Sequence, residues 1–182
     1  INVTLKDNGG TPTNGHVLTV DANGEAGFAA ASGGGGGVSS DSNSNTVGGT
    51  GAGNALDSDT YSNTFFGHAA GYSLDSGDGN TAVGRYALQN GTSATSNSVF
   101  GYGAGRAITT AEESTLIGYE AGTAITTGGK NTFIGLNSGK SATTGNKNCA
   151  LGNDAGQGIT SGFWNIYIGE KAGYSTTTGY GN

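Results

Sequence analysis

The sequence predicts an all-β fold, a parallel β-solenoid of short tandem coils preceded by a small β-hairpin module. Of the 182 residues, 38 are Gly and one is Pro, and 33% are apolar. That composition alone is typical of a disordered chain. A disordered chain needs no register, however, and the glycines recur at a fixed period. Each period also holds one short apolar run, which is typical of a strand.

Eight tandem units carry this periodicity. Their start positions are 17 apart, except that the first two are 18 apart. Position five is always Gly, position eight is Ala or Ser, and position nine is Gly except at Leu88. The units begin at Asn45, Asn63, Asn80, Asn97, Ser114, Asn131, Asn148 and Asn165, and Asn182 begins a ninth. A register held over eight units predicts stacked structural repeats, because a unit this small buries no core alone.

One unit reads as two short strands and two turns. Thr132-Phe133-Ile134 before Gly135 is typical of the opening, and β-branched and aromatic residues in such a run indicate a strand of about four residues. A second apolar position, such as Ile125, precedes a Thr-Thr-Gly turn at 126–128. We expect the Gly and Asn of the register to lie at turns with positive φ, which these residues adopt cheaply.

Stacking these units places each strand beside its own copy one coil later, about 4.8 Å away, in a parallel sheet. Alternation puts positions two and four on one face and position three on the other. We predict that positions two and four point inward and that position three, as in Phe65, Leu116 and Phe133, forms an outward apolar ladder. Monomers rarely expose such a ladder, so the residues predict an oligomer whose copies cover one another.

The unit N-T-x-φ-G-x-x-A-G, where φ is apolar, resembles the repeats of the left-handed parallel β-roll heads of trimeric autotransporter adhesins. It more closely resembles the tandem repeats of bacteriophage tail fibres, in which phrases close to NTAVGRYAL (80–88) recur. The resemblance covers residues 45–182 and implies a homotrimeric, non-catalytic fibre with left-handed coils. Adhesin heads usually have shorter units, and these residues include neither their anchoring domain nor the chaperone domain that often ends phage fibres.

The first 44 residues form a different module. We predict a small β module at 1–31, with strands at 16–20 and 25–28 joined by a turn at 21–24 that contains Asn-Gly, a strong hairpin signal. This stretch resembles short β modules that precede repeats in marine phage fibres. A Gly/Ser-rich linker follows at 32–44, and the solenoid occupies 45–182.

Charge and chemistry favour a structural role over catalysis. Seven basic and 13 acidic residues give a net charge of −6, whereas nucleic-acid binding needs a basic track. No apolar run approaches the length of about 18 residues that a spanning helix needs, and no signal peptide is evident, so we expect no membrane insertion. The two histidines, His16 and His68, and the lone Cys149, expected to be a small core residue, suggest no catalytic or cofactor site.

An acidic turn is the one candidate metal site in the sequence. Asp75, Asp78 and Asn80, with Asp57 and Asp59 one coil earlier, could offer oxygen ligands to Ca²⁺. The spacing lacks the full pattern of a calcium loop, so a solvated acidic turn is the favoured interpretation and we predict no metal.

The sequence therefore predicts a structural fibre segment of a phage or virus-like particle, located in the virion beside other virion proteins and involved in attachment to the host surface. The alternative is a bacterial trimeric adhesin or extracellular filament subunit. A third candidate, an ice-binding solenoid, would need its Thr rows to face solvent.

Outward residues at the variable positions six and ten are the candidate contacts with a host glycan or protein. A Tyr ring stacks on sugars and its hydroxyl hydrogen-bonds, so a shallow carbohydrate contact competes with an inert shaft as the interpretation. These candidates are Tyr72, Tyr102, Tyr119, Tyr174 and Arg106, together with His68 and Arg85.

Overall fold

The computed structural model describes residues 16–20, 26–30 and 38–182, and these residues contain no helix. Strands β1 (His16–Val20) and β2 (Ala26–Ala30) pair antiparallel, with His16 opposite Ala30. The predicted Asn-Gly turn and residues 32–37 of the predicted linker lie outside the described residues. Both therefore stay predictions.

The other nine strands form one sheet in chain order. Antiparallel pairing joins β3 to β4, and every later pair is parallel, with each position facing the same position of the next coil. The strands are β3 (Val38–Ser40), β4 (Thr46–Gly48), β5 (Thr64–Phe66), β6 (Thr81–Val83), β7 (Ser98–Phe100), β8 (Thr115–Ile117), β9 (Thr132–Ile134), β10 (Cys149–Leu151) and β11 (Ile166–Ile168). The prediction of an all-β solenoid with 17-residue spacing is confirmed, with about 7 turns.

Each coil contains one three-residue strand, so the prediction of two strands per unit is wrong. In the coil that begins at Asn131, Gly135, Asn137 and Gly139 all have positive φ (134°, 54° and 58°), which prevents an extended backbone after the first strand. Beyond these residues the chain turns a corner held by threonines. The hydroxyls at position thirteen donate to the position-thirteen carbonyl of the next coil, at Thr92, Thr109, Thr126, Thr143 and Thr160.

The predicted orientation of the strand is wrong as well. Position three points into the solenoid, where Phe65, Leu116 and Phe133 are fully buried, while positions two and four point outward. Positions three and four are both apolar, so hydrophobic alternation alone could not decide between them. The deciding residue is the Asn at position one, which is buried and therefore places position three inward as well.

These buried asparagines form a continuous hydrogen-bonded column. In a typical step, the backbone N–H and the Nδ2 of Asn148 donate to Oδ1 of Asn131 at 3.0 and 3.2 Å, and Nδ2 also donates to the Gly162 carbonyl at 2.8 Å. The expectation that the Asn adopts positive φ is wrong. The residue before it does so instead, as Lys130 (φ 60°) and Lys147 (φ 57°) illustrate.

The glycine at position five does adopt positive φ, as predicted, and it is also required by close packing. At Gly135 φ is 134°, and a Cβ there would lie 2.3 Å from the carbonyl oxygen of Gly152. That distance is far inside van der Waals contact, because the coils are one strand spacing apart at this turn. Any side chain at this position would separate neighbouring coils.

Leu88 breaks the glycine pattern at position nine without disturbing the core. In other coils the Gly at position nine makes room for a large side chain, either at position twelve or at position three. A Cβ on Gly122 would lie 2.7 Å from Cδ1 of Ile125, and one on Gly139 would clash with the ring of Phe133. In the coil of Leu88 the two sizes are exchanged, and position twelve is Gly91. Leu88 is fully buried, so it fills the space from the opposite wall.

Candidate interaction surfaces

The outer face of the sheet carries two columns of side chains. Position four provides the apolar ladder, in which Phe100, Ile117 and Ile168 are 38%, 39% and 68% exposed and the others are half-buried. Position two provides a neighbouring column of mostly hydroxyl residues, half-buried in every strand except β11. The apolar ladder consists of Phe66, Val83, Phe100, Ile117, Ile134, Leu151 and Ile168.

A second surface is an aromatic strip of four exposed or half-buried rings, His68, Tyr86, Tyr102 and Tyr119. His68 and Tyr86 meet edge to face at 5.3 Å between centroids, and Tyr86 and Tyr102 do so at 5.9 Å. Tyr102 and Tyr119 are stacked at 5.1 Å, nearly parallel. The structure therefore brings together His68, Tyr102 and Tyr119, which the sequence placed on the surface separately.

Both candidate arginines join this strip at Tyr86. The guanidinium carbons of Arg85 and Arg106 lie 4.6 and 5.0 Å from the ring centroid, within cation–π range. Arg106 is oriented by a hydrogen bond from Nε to Oε1 of Gln89 at 2.9 Å. Tyr86 itself was missed from the sequence, because it occupies position seven and only positions six and ten were considered outward.

Tyr72 and Tyr174, the other two candidates, are exposed at position ten but lie six coils apart. At about 4.8 Å per coil, that separation is on the order of 30 Å. Neither ring contacts the aromatic strip within the described residues. The seven predicted contact residues are thus all on the surface, but they do not form one site.

A salt bridge borders the strip beyond Tyr119. Lys140 Nζ lies 2.7 Å from Oε2 of Glu120, and this hydrogen bond raises the pKa of Lys140 above its ordinary value. The pair spans two neighbouring coils on the solvent side, so it adds little stability.

A third surface was not predicted at all: an open groove of about 490 Å³ at the corner formed by positions fourteen, sixteen and seventeen. At one end Phe163, Trp164 and Tyr180 form a cluster with ring centroids 4.7 to 5.7 Å apart. The signal in the sequence was Phe-Trp at a turn where most other coils place small or polar residues. The corner groove is lined by Thr110, Glu112, Thr127, Gly129, Lys130, Asn146, Lys147, Phe163 and Trp164.

Carboxylates of the acidic turns singled out from the sequence accept backbone N–H groups, as Asp57 does from Asp59 at 2.9 Å. The Asp78 carboxylate accepts the Tyr61 backbone N–H at 2.7 Å, which ties the acidic turn to the neighbouring coil. No three His, Cys, Asp or Glu side chains group closely enough to hold a metal ion within the described residues. Cys149 is half-buried on the outer face at position two, so its expected place in the core is wrong.

None of the described residues belongs to a helix with the length and apolar character needed to cross a membrane. Comparisons with protein-family models, curated proteins and solved structures found no match to this chain.

Proposed function

We propose that this chain is a structural, non-catalytic fibre segment of a phage or virus-like particle, which extends toward the host surface as a homotrimer beside other virion proteins. The observation that carries the proposal is the apolar ladder. This row of apolar side chains runs along the rod, and a partner is needed to cover it along its whole length.

The geometry of the ladder favours a long, continuous interface. Seven apolar side chains follow one another at the strand spacing, so the ladder extends over roughly 30 Å. Phe100 and Ile117 in its middle are both more than a third exposed. An apolar row of this length is larger than the scattered exposed residues of monomers, and burying it is favourable by about 25 cal/mol per Å².

A second copy of the chain is the partner that fits this ladder. Parallel rods around one axis would bring equivalent positions of each copy to the same height, so every ladder meets another ladder. With a net charge of −6 on each chain, the copies repel one another elsewhere, and apolar contact must supply the attraction. Three copies and a left-handed coil are what the resemblance to phage fibres and adhesin heads implies.

The orientation of position two reopens the ice-binding alternative, because its Thr side chains face outward and not into the core. The row is not regular, however. Ser98 interrupts it, and Cys149 and Ile166 occupy its last two places. The phenyl rings of Phe66 and Phe100 stand in the adjacent column, so the face is not a flat row of hydroxyls. The ladder favours a protein partner.

The oligomeric state is measured by light scattering coupled to size-exclusion chromatography. We expect three chains per particle for the parent and dissociation for the double variant Phe100→Lys, Ile117→Lys, since both side chains are exposed and the coil should remain folded by circular dichroism. Leu136→Lys is the matched control, because Leu136 is 49% exposed at position six, outside the ladder. A monomeric parent would refute the interface.

The role in a virion is tested by electron microscopy with gold-labelled antibodies against this chain. Label on the tail or surface fibres of particles purified from the producing culture is the expected result. Label on the cell envelope alone would instead favour the adhesin or filament alternative. Absence of label from both particles and cells that contain the chain would contradict either role.

A further inference from the structure

Trp164 at the corner groove has a costly backbone conformation. Its φ is 60°, in the left-handed region, where a bulky side chain is a clear outlier. The last residue of every coil is left-handed, and Trp164 is the only aromatic residue in this place; the others are Ser62, Gly79, Ser96, Glu113, Lys130, Lys147 and Gly181. The left-handed φ is therefore a property of the turn, and the feature particular to this coil is the large aromatic side chain that the turn places at the corner.

The Trp164 side chain also gains little from burial. It is 49% exposed, and its partner Phe163 is 42% exposed. An exposed aromatic pair of this kind is an apolar platform facing solvent. Lys147 Nζ lies 5.3 Å from the Trp164 ring centroid, and this cation–π contact helps to hold the indole in place.

Beyond this platform the groove is polar and carries both signs of charge. Thr110 and Thr127 are exposed, and neither hydroxyl makes a hydrogen bond to another described residue. Lys130 lies 3.9 Å from Glu112 and 3.7 Å from Glu113, and Lys147 adds a second positive charge, so these four side chains together carry no net charge. The surface thus offers free donors and acceptors without a strong preference for anions or cations.

Three residues of position sixteen line the middle of the groove: Glu112, Gly129 and Asn146. Gly129 is buried, and a Cβ there would lie 2.9 Å from the Glu112 carbonyl oxygen, so the backbone of the preceding coil closes this wall. The Asn146 Oδ1 accepts the Gly129 backbone N–H at 2.8 Å. A volume of about 490 Å³ is within the range of small-molecule sites.

We propose that the corner groove binds a short neutral oligosaccharide that lies along the rod axis, since Thr110 is three coils, about 14 Å, from Trp164. The apolar C–H face of one pyranose ring stacks on Trp164, and hydroxyls of this ring and of the following rings exchange hydrogen bonds with the free amide hydrogen of Asn146, with Thr127 and with Thr110. A polyol with one apolar face matches an aromatic platform bordered by neutral donors and acceptors, whereas a fatty acid or a phosphate matches only half of it.

This inference rests on the host contact in the proposed function and names the chemistry of that contact. Separate experiments test saccharide binding and trimer formation, so either can be refuted without the other. No groove residue belongs to the apolar ladder, so saccharide binding is measured without reference to the number of chains. It also differs from contact along the aromatic strip, which Tyr102 and Tyr119 would report.

Trp164 is the only Trp in the chain, so its fluorescence reports directly on the groove. The parent protein is titrated with maltotriose, lactose and triacetylchitotriose, each to about 10 mM, a range suited to millimolar affinities. We expect a saturable change in emission with at least one of the three. Absence of any saturable change, or the same change with glycerol, would overturn the proposal, because glycerol has no ring to stack.

Thr127→Val should weaken binding of the responding saccharide by about three- to tenfold, the effect of one lost hydrogen bond. Thr178→Val is the matched control, because Thr178 occupies the same position fourteen in another coil, outside the groove. Equal affinities for these two variants would contradict the assigned geometry.

Trp164→Ser distinguishes binding from folding. Ser is native as the last residue of two other coils, at Ser62 and Ser96, so we expect an unchanged or higher melting temperature together with loss of saturation-transfer NMR signals from the sugar. A folded variant that retains those signals would exclude the indole platform.

Discussion

Replacing Asn148 with Ala tests whether the buried asparagine column stabilises the solenoid. Asn148 is 1% exposed, and its Oδ1 accepts both the backbone N–H and the Nδ2 of Asn165, at 3.1 and 2.9 Å. Its own Nδ2 serves the Gly162 carbonyl. It also donates to Oδ1 of Asn131 at 3.2 Å, so removing the side chain affects four buried groups.

The chain contains its own reference for this perturbation at Ser114, where the column lacks an Asn. There the Ser114 Oγ accepts the Asn131 backbone N–H at 3.2 Å, and the Asn131 Nδ2 reaches the Gly128 carbonyl at 3.3 Å. A Ser in the column thus leaves the equivalent groups satisfied. We expect Asn148→Ser to rearrange in the same way, with the Asn165 Nδ2 turning toward Gly162.

Asn148→Ala permits the same turn of Asn165 but leaves its backbone N–H without an acceptor. An unsatisfied buried donor costs about 1 to 3 kcal/mol, and this is the expected difference between the Ala and Ser variants. Both variants also lose packing atoms, so Ser itself should cost about 1 kcal/mol. Asn90→Ala, on the surface, should stay within about 0.5 kcal/mol of the parent.

Stability is measured by urea denaturation followed by circular dichroism, with equal slopes required before midpoints are compared. The informative quantity is the gap between the Ala and Ser variants. If both variants unfold at the same urea concentration, the acceptor at this position is dispensable, and water or a shift of the backbone must satisfy Asn165.

Two further substitutions test the turn and the core, by the same urea denaturation. Gly135→Ala should lower the free energy of unfolding by at least about 3 kcal/mol, because strain at φ 134° adds to the clash with Gly152. Gly181→Ala is the control and should cost about 1 kcal/mol, because Gly181 has φ 63° and no atom lies within 4 Å of its Cβ position. Equal costs for the two variants would mean that the coil spacing does not require Gly135. Tyr167→Phe should raise the free energy of unfolding by about 1 kcal/mol, because the buried Tyr167 hydroxyl has no hydrogen-bond partner within the described residues. A lower urea midpoint for this variant would reveal a hydrogen bond to that hydroxyl.

The period and the turn glycines could be predicted from the sequence because each rests on a local rule. Gly135 needs its conformation whatever surrounds it, and the length of the repeat follows from counting along the chain. Parallel stacking in register then follows, because identical units pair best with identical units. These features require no knowledge of which side chains point inward.

The inward face could not be predicted from apolar character. Phe65 and Phe66 are adjacent and both apolar, so each was an acceptable core residue, yet only Phe65 is fully buried. The information lay in Asn63, two residues before Phe65, which is buried because its amide bonds to the coils on either side. A polar residue that repeats at one position in nearly every coil can be a core residue if its copies satisfy one another.

The interaction surfaces depend on neighbours one full coil away along the chain. For this reason they could be predicted only in part. Tyr102 and Tyr119 share one position, so their stacking was accessible from the register. Tyr86 joins the strip from a different position, and the corner groove is lined by residues of three positions from four coils. Both features combine residues from several positions and several coils, so they are not visible when each position of the repeat is considered by itself.

The hydrogen bonds between coils run along the rod axis, from Thr132 to Asn148 as from Gly135 to Ile117. A pulling force along that axis therefore loads all the bonds around one coil together, because no edge bond is nearer to the force than another. A sideways force on the tip instead concentrates on the bonds at one edge and opens them in succession. A rod of this construction resists tension better than bending. Close association with parallel copies would make it stiffer against bending.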